Sequence, residues 1–184
     1  MLDFEQHTVA TAPEKSKEIL QKVEKNYGFI PNLLANLAEA PTVMETYVTM
    51  AGINDRSSLN ETERQLVLLT VSRYHECHYC MAAHSSLAAM KQVPEEVILA
   101  LRKDLPISDE KLEILHQTTL NLVENRGWLD QKHLDKFLSV GYSKAQLLEI
   151  LPLIAIKTLS NYANHLMTTP LDDAFKEQSW DTPA

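Results

Sequence analysis

The sequence has few of the residues that break helices or cross-link a chain. Its 184 residues include only 4 glycines and 2 cysteines, and aromatic residues make up 7%. Nowhere do β-branched residues alternate cleanly with polar ones, as they do in half-buried strands. No apolar run approaches the ~18 residues that span a bilayer. These absences exclude a disulfide-rich scaffold and a helical membrane protein, and they argue against a β-sheet fold.

The chain also lacks an excess of basic residues. Lys and Arg total 17 against 25 Asp and Glu, which gives a formal net charge of −8. Because a nucleic-acid surface needs clustered cations, we expect no nucleic-acid partner. The start of the sequence, Met1 to Glu5, lacks the basic and apolar regions of a signal peptide. We therefore expect a cytoplasmic protein with no membrane partner.

What the sequence does contain is apolar residues at helical spacing, bounded by helix caps. Hydrophobic residues make up 45%, and the length suffices for one compact domain. Asn60 with Glu63, and Ser143 with Gln146, are capping boxes that open strongly apolar helices. The pattern predicts an all-α fold, a compact multi-helix bundle built from one domain over residues 1–184.

The segments of this domain differ in character. Residues 1–12 have no clear periodicity and are expected to form an arm, residues 55–95 the core that carries the cysteines, and residues 171–184 a tail.

Ser108 is expected to cap a long helix from Asp109 to Arg126. Pro152 is expected to kink or bend the helix that runs to His165.

Both cysteines lie in one stretch, Glu76 to His84, with the sequence ECHYCMAAH. Cys77, Cys80 and His84 are three and four residues apart, so a helix would place them on one face. The thiolate is the nucleophilic form, and its pKa drops from about 8.5 to roughly 3.5–7.5 near a helix N-terminus, a cationic histidine or a CxxC partner. The stretch predicts a dithiol redox centre. Cys80 would be the activated sulfur, Cys77 the resolving thiol and His84 the base or proton shuttle.

Two other interpretations of the cysteines stay open. Buried cysteines can behave simply as small hydrophobic residues. Alternatively, Cys77, Cys80 and His84 supply three zinc ligands, and His75 or His165 would have to complete the four that a structural zinc site needs.

The apolar segment LVLLTVSR at residues 66–73, followed by the CxxC and AAH sequences, resembles the alkylhydroperoxidase D-like branch of the carboxymuconolactone decarboxylase family. The segment from Gly28 to Pro41 and the sequence TLSNYANH at residues 158–165 resemble its peroxidase-related members. The resemblance implies an all-helical fold that assembles as trimers or hexamers. It also implies a thiol peroxidase in which the second CxxC cysteine, here Cys80, attacks the peroxide and the first, Cys77, resolves it.

The proton relay of that family is altered in this sequence. The family's relay glutamate falls on Gln65, whose amide cannot accept a proton as a carboxylate does. Glu61, one helical turn earlier, is the better-placed substitute, because Glu76 adjoins the first cysteine and cannot share its face. The family's histidine between the cysteines falls on Tyr79, and His78 lies one residue earlier. The candidate supporting or relay residues are therefore Gln65, Glu61, Glu76 and His78. We expect either a weakened turnover or a different route for the proton.

The leading hypothesis is a thiol-dependent peroxidase that reduces hydrogen peroxide or organic hydroperoxides. It requires no metal or organic cofactor, and the sequence has no dinucleotide or P-loop signature. The electrons must then come from an external dithiol donor, thioredoxin-like or lipoyl-type. We expect a homo-oligomer, from the resemblance and from helix faces with small residues: Ala82, Ala83, Ala88 and Ala89.

Two rival functions stay open. A lyase acting on a small lactone acid, as the family name suggests, would need a base and an oxyanion site but no dithiol. A non-enzymatic, redox-switched oligomeric binding protein would form the disulfide reversibly without consuming peroxide. The amide of Gln65 at the relay position favours the second rival.

Overall fold

The computed structural model describes residues 4–182, and within that range the regular structure is helical throughout. Its elements in chain order are α1 (Glu14–Tyr27), α2 (Asn32–Leu37), α3 (Pro41–Asn54), α4 (Glu61–Tyr74), α5 (His78–Met90), α6 (Glu95–Lys103), α7 (Glu110–Glu124), α8 (Gln131–Ser139), α9 (Lys144–Met167) and the 3₁₀ helix Asp173–Gln178. These helices pack as a compact bundle. The predicted all-α fold is confirmed.

Helix α4 is the centre of the bundle, and it packs against α5, α6, α7 and α9. The predicted capping box fixes its start: Asn60 Oδ1 accepts from the Glu63 backbone N–H at 3.0 Å, and Glu63 Oε2 accepts from the Asn60 N–H at 2.8 Å. Leu66, Val67 and Leu69 are all fully buried. The helix is therefore apolar on several sides, as a helix surrounded by others must be.

The buried side chains form two clusters. One lies around α4, α6, α7 and α9 and includes Leu66 and Phe137. The other lies between the first three helices and α5, and it includes Leu20, Cys77 and Cys80. The cysteine pair is thus built into the core, away from bulk water.

The small residues of α5 do not serve the expected purpose. Ala82, Ala83 and Ala88 are buried, and α5 packs against α4, α6, α9 and the 3₁₀ helix of its own chain. Their small size lets helices of the same chain approach closely. Ala82, Ala83 and Ala88 are therefore not available to contact another subunit. The expectation that these three alanines form a subunit contact is wrong, and within this group only Ala89 is exposed.

Helix α7 differs from its predicted bounds at both ends. Asp109 is its N-cap, with Oδ1 accepting from the Leu112 backbone N–H at 2.9 Å, so the predicted Ser108 cap is wrong. The helix ends at Glu124 because Arg126 already has a left-handed backbone, with a φ of 55°.

Helix α9 runs for 24 residues and continues through Pro152. The proline removes one intrahelical donor. The residue whose carbonyl loses that donor, Leu148, is exposed, so water can replace the bond. Asn54 Nδ2 donates to the Pro152 carbonyl oxygen at 3.3 Å and ties α3 to α9 at this point. Among residues 4–182, no helix combines the length and apolar character that crossing a membrane requires.

Both ends of the described chain pack on the bundle. In the predicted arm, His7 is buried and its Nε2 lies 2.7 Å from the Glu39 carboxylate. In the predicted tail, the 3₁₀ helix packs on α5, and Trp180 Nε1 donates to the Arg102 carbonyl oxygen at 2.9 Å. The tail is therefore part of the fold of its own chain. Residues 1–3 and 183–184 of the predicted arm and tail lie outside the described range.

Replacing Leu66 with alanine tests the central position of α4. Leu66 is fully buried, so Leu66→Ala should lower the free energy of unfolding by about 2–5 kcal/mol, measured by urea denaturation. Leu105→Ala is the matched control, because that leucine is 53% exposed and its loss should change stability by no more than about 0.5 kcal/mol. Equal effects of the two changes would contradict the packing described.

Candidate redox site

The two cysteines lie at the start of α5. Cys77 is the N-cap residue, and its Sγ accepts from the Cys80 backbone N–H at 3.3 Å. Both residues are free thiols and only 1% exposed. The first turn of a helix offers unpaired N–H groups and the positive end of the helix dipole, which favour an anion. The helix therefore begins where the sequence predicts, and Cys80 lies in its first turn.

A cavity of about 200 Å³ reaches Cys80, whereas Cys77 is not among its lining residues. Its wall is mainly apolar, formed by Leu33, Leu34, Leu68, Leu87, Leu153, Ile156 and Phe175. The most exposed lining residues include Tyr27 and Lys91, which mark its mouth. A molecule that enters this cavity therefore meets Cys80 and not Cys77.

Helix α9 covers the cysteines with three polar residues on one face. Lys157, Asn161 and Asn164 are four and three residues apart, and they are 2%, 0% and 4% exposed. Asn164 Nδ2 donates to Cys80 Sγ at 3.1 Å and lies 3.9 Å from Cys77 Sγ. Lys157 lines the same cavity as Cys80. An amide donor and a cation from α9 thus act on a buried sulfur from α5.

These groups lower the pKa of Cys80. Burial alone would raise this pKa, but a hydrogen bond from the Cys77 thiol, the charge of Lys157 and the amide of Asn164 together outweigh burial. The pKa of Cys77 is raised, first by its hydrogen bond with Cys80 and then by burial. Cys80 is thus the more acidic thiol of the pair and Cys77 the less acidic one.

A chain of hydrogen bonds links His84 to Glu61 through Gln65. Glu61 Oε1 accepts from Gln65 Nε2 at 3.0 Å, and Gln65 Oε1 lies 3.1 Å from His84 Nδ1. Because the amide nitrogen of Gln65 donates to the carboxylate, its oxygen faces the imidazole, and we assign the ring proton to Nδ1. The other ring nitrogen, Nε2, is left as an acceptor.

His84 is neutral in these surroundings. Its pKa is lowered well below 6.5, first by burial and then by the charges of Lys157 and Lys91. Burial would raise the pKa of Glu61, but hydrogen bonds from Gln65 and Lys91 lower it to about 2. Glu61 therefore stays anionic and orients His84 through the amide of Gln65 without exchanging a proton.

Glu76 and His78, the remaining predicted supporting residues, lie outside this cavity. Glu76 is exposed, has a left-handed backbone with a φ of 53° and borders a different cavity. His78 is 57% exposed, and its ring contacts that of Trp180. Glu76 and His78, the two sequence neighbours of Cys77, are thus directed away from the cavity.

Sequence reasoning missed Lys157 and Tyr47, which both line the cavity. A signal for Lys157 was present, because it precedes Asn161 and Asn164 by four and seven residues on an otherwise apolar helix. Tyr47 gave no signal, since its place at the cavity depends on the packing of α3 against α9. Its pKa is raised, first by burial and then by Cys80, so its hydroxyl stays protonated.

The zinc interpretation finds no set of ligands in the described chain. Across residues 4–182, no three His, Cys, Asp or Glu side chains converge as a metal site requires. His165, which the sequence offered as a fourth ligand, is exposed.

Residues 41–109 match the model of the carboxymuconolactone decarboxylase family. The family resemblance is confirmed. The matched segment of this family contains Glu61, Gln65, both cysteines and His84, and it ends before α9 begins. No curated protein matches the chain in sequence.

Solved structures share the alkylhydroperoxidase D-like fold over nearly the whole chain. A peroxidase-related protein with an alkylhydroperoxidase AhpD core, from Ralstonia eutropha JMP134, has a TM-score of 0.84 at 17% identity and covers 94% of this chain and 93% of its own. A peroxidase-related protein from Silicibacter sp. TM1040 gives 0.81 at 15% identity, covering 96% and 94%. The debrominase Bmp8, in a complex with 2,3,4-tribromopyrrole, gives 0.75 at 19% identity, covering 97% and 95%. At these identities the likeness establishes the fold.

The low pKa of His84 predicts how the stability of the protein changes with pH. Below the ordinary value of 6.5 the unfolded chain binds a proton on His84 and the folded chain does not, so stability falls as the pH drops. Removing the titrating group with His84→Gln should reduce that dependence between pH 6.5 and 5 by up to about 1.4 kcal/mol per pH unit.

The measurement is urea denaturation at several pH values. His75 and His116 also have lowered pKa values, chiefly from burial, so part of the dependence should remain in the variant. The control is His78→Gln, which alters an exposed side chain. An unchanged slope in His84→Gln would show that His84 is not held neutral.

Proposed function

We propose that this protein is a thiol-dependent peroxidase that reduces hydrogen peroxide or small organic hydroperoxides. The observation that carries the proposal is the asymmetry of the two thiols. Cys80 lines a cavity and has a lowered pKa, whereas Cys77 lies behind it, protonated and outside the lining. One activated sulfur facing the substrate and one reserve thiol beside it are what a dithiol peroxidase needs.

The reaction begins with attack of the Cys80 thiolate on a peroxide oxygen. The S–O bond forms, the O–O bond breaks, and Cys80 becomes a sulfenic acid. The second oxygen leaves with the electron pair of the broken bond and takes up a proton, which gives an alcohol or water. Cys77 then attacks that sulfur, its thiol proton leaves with the hydroxyl as water, and an intramolecular disulfide remains. His84 is held with Nε2 as an acceptor, ready to take a hydrogen bond from the peroxide.

An external dithiol donor completes the proposed cycle. Both cysteines are 1% exposed, so a globular thioredoxin-like donor would reach them only after local opening of the bundle. A slender lipoyl-type dithiol could enter through the cavity that ends at Cys80. The burial of the pair therefore favours the lipoyl-type donor.

Assembly as a trimer or hexamer remains part of the proposal. Helix α9 exposes apolar side chains along one side, namely Leu148, Leu151, Tyr162 and Leu166, and an exposed apolar stripe of this kind favours contact with another subunit. A monomeric mass by analytical ultracentrifugation at micromolar concentration would contradict this part.

Reductive dehalogenation of a small aromatic compound is a second candidate function. The apolar wall of the cavity favours it, as does the shared fold of a debrominase that binds a brominated pyrrole. The same two thiols would supply two electrons, so that a carbon–halogen bond is replaced by carbon–hydrogen and halide is released. Release of bromide from 2,3,4-tribromopyrrole, measured beside peroxide consumption, separates the two candidates.

Two serine variants test the roles of the cysteines in the peroxidase cycle. With one equivalent of hydrogen peroxide, the wild-type protein should form an intramolecular disulfide, detected by mass spectrometry as the loss of two hydrogens. Cys77→Ser should stop at a sulfenic acid on Cys80 that dimedone traps, because no resolving thiol remains. Cys80→Ser should leave Cys77 reduced, because burial holds this thiol outside the cavity.

The matched comparison is the oxidation rate of the single remaining thiol in each variant. We expect the Cys77→Ser protein to react at least about 100-fold faster than the Cys80→Ser protein, in keeping with the activation of a low-pKa thiolate. Equal rates, or a faster Cys77, would contradict the assignment of Cys80 as the attacking sulfur.

A further inference from the structure

Lys157 is a buried cation for which residues 4–182 supply no carboxylate partner. The residue is 2% exposed. The ion pairs that lysine and arginine side chains form within residues 4–182 do not include Lys157. A buried ammonium is costly unless a counter-charge lies nearby. Its charge acts on His75, Cys77, Cys80 and His84. Only Cys80 of these four becomes an anion in its surroundings.

We propose that Lys157 is both the counter-charge of the Cys80 thiolate and the acid that protonates the leaving oxygen of the peroxide. The geometry that carries this inference is the shared cavity, which Cys80 and Lys157 both line while both are almost fully buried. The inference rests on the proposed peroxidase function for its second half only. The counter-charge does not depend on the substrate.

The other polar groups of the cavity are poorer acids for this step. His84 donates its Nδ1 proton to Gln65 at 3.1 Å, which leaves no proton on Nε2. Lys91 forms an ion pair with Glu61 at 2.9 Å near the mouth. Tyr47 also lines the cavity, but burial raises the pKa of its phenol, so it gives up a proton less readily than an ammonium does. Tyr79, another lining residue, donates its hydroxyl proton to Asp172 at 2.6 Å. Of these groups, Lys157 is the acid best suited to the step.

The proton transfer also avoids leaving an unpaired positive charge in the core when Cys80 is oxidised. Attack of the thiolate forms the S–O bond, and the electron pair of the broken O–O bond leaves with the second oxygen. If that oxygen takes its proton from Lys157, the products are a neutral sulfenic acid, a neutral alcohol or water, and a neutral amine. If Lys157 kept its proton, the loss of the thiolate charge would leave an unpaired cation in the core. Reduction by the external dithiol later restores both the thiolate and the ammonium, since the donor supplies two protons with its two electrons.

Two substitutions separate the charge of Lys157 from its proton. Lys157→Met removes both, and Lys157→Arg keeps a positive charge that does not release a proton, because the pKa of arginine exceeds 12. Lys144→Met is the matched control, since Lys144 is an exposed lysine on the same helix. Circular dichroism and thermal unfolding of each variant confirm that the bundle is intact.

Two oxidants separate the two roles kinetically. Hydrogen peroxide releases hydroxide, which needs a proton as it leaves. Methyl methanethiosulfonate is a small thiol reagent that releases a sulfinate, which needs none. The single-turnover rate of Cys80 with each reagent is measured in the Cys77→Ser background from pH 5 to 9, together with the thiolate titration of Cys80 by its ultraviolet absorbance.

We expect Lys157→Met to raise the pKa of Cys80 and to slow both reactions at pH 7 by at least about tenfold. Lys157→Arg should keep the thiolate titration and the thiosulfonate rate close to those of the wild type. It should slow the peroxide reaction by about 100-fold, the lower end of what general acid catalysis supplies. Lys144→Met should match the wild type in both reactions.

Two results would overturn the inference. An unchanged Cys80 titration in Lys157→Met would exclude the counter-charge, and an unchanged peroxide rate in Lys157→Arg would exclude the proton donor. Failure of the peroxidase proposal looks different, because wild-type Cys80 would then react with peroxide no faster than a free thiol. The thiosulfonate rates and the thiolate titration would still report the charge effect of Lys157.

Discussion

Burial of a thiolate is the constraint on which the rest of the site depends. A charge moved from water into a protein core costs several kcal/mol unless other groups compensate it. Cys80 is 1% exposed and nevertheless has a lowered pKa, because hydrogen bonds from Cys77 and Asn164 and the charge of Lys157 outweigh that cost. Each of these groups comes from an element whose place in the bundle is fixed by core packing.

The site combines two parts of the chain that meet only in the folded protein. The segment that matches the carboxymuconolactone decarboxylase family supplies the thiols, His84 and the amide-linked carboxylate of Glu61. Helix α9, outside that segment, supplies the ammonium and the amide donor to the sulfur. A change of chemistry within one fold can therefore arise from α9 while the CxxC segment stays the same, since function depends on the site and not on the fold alone.

The amide of Gln65 orients His84 in this arrangement but does not exchange a proton with it. A glutamate at this position would accept a proton from the histidine, whereas Gln65 only passes on the orientation set by Glu61. His84 then stays neutral, and the positive charge beside the thiolate belongs to Lys157. The altered relay is thus accompanied by a cation, Lys157, that was not predicted from the sequence.

Local patterns predicted the elements that depend on local physics. The capping box at Asn60 and Glu63 and the start of α5 beside Cys77 were correct, because a cap is formed by residues three positions apart. The prediction that Ser108 caps α7 was wrong, because the neighbouring Asp109 occupies the N-cap position.

The contribution of Lys157 and Tyr47 could not be derived in the same way. Both residues are more than thirty positions from Cys80 in the sequence, so their approach to it depends on how α3 and α9 pack across the bundle. The spacing of Lys157 with Asn161 and Asn164 indicates a shared polar face, but not what that face contacts. Glu76 and His78 were predicted to support the site because they adjoin Cys77 in the sequence. In the fold they lie outside its cavity, because closeness in sequence does not determine which way a side chain points.

The most direct test of this account is the charge state of His84 while Cys80 is a thiolate. Nitrogen-15 NMR of labelled histidine at pH 7 reports both the charge and the tautomer, and carbon-13 labelling of cysteine reports the thiolate in the same sample. The account predicts a neutral His84 protonated on Nδ1 beside an ionised Cys80. An imidazolium at His84 would contradict it, because the histidine and not Lys157 would then be the cation that stabilises the thiolate.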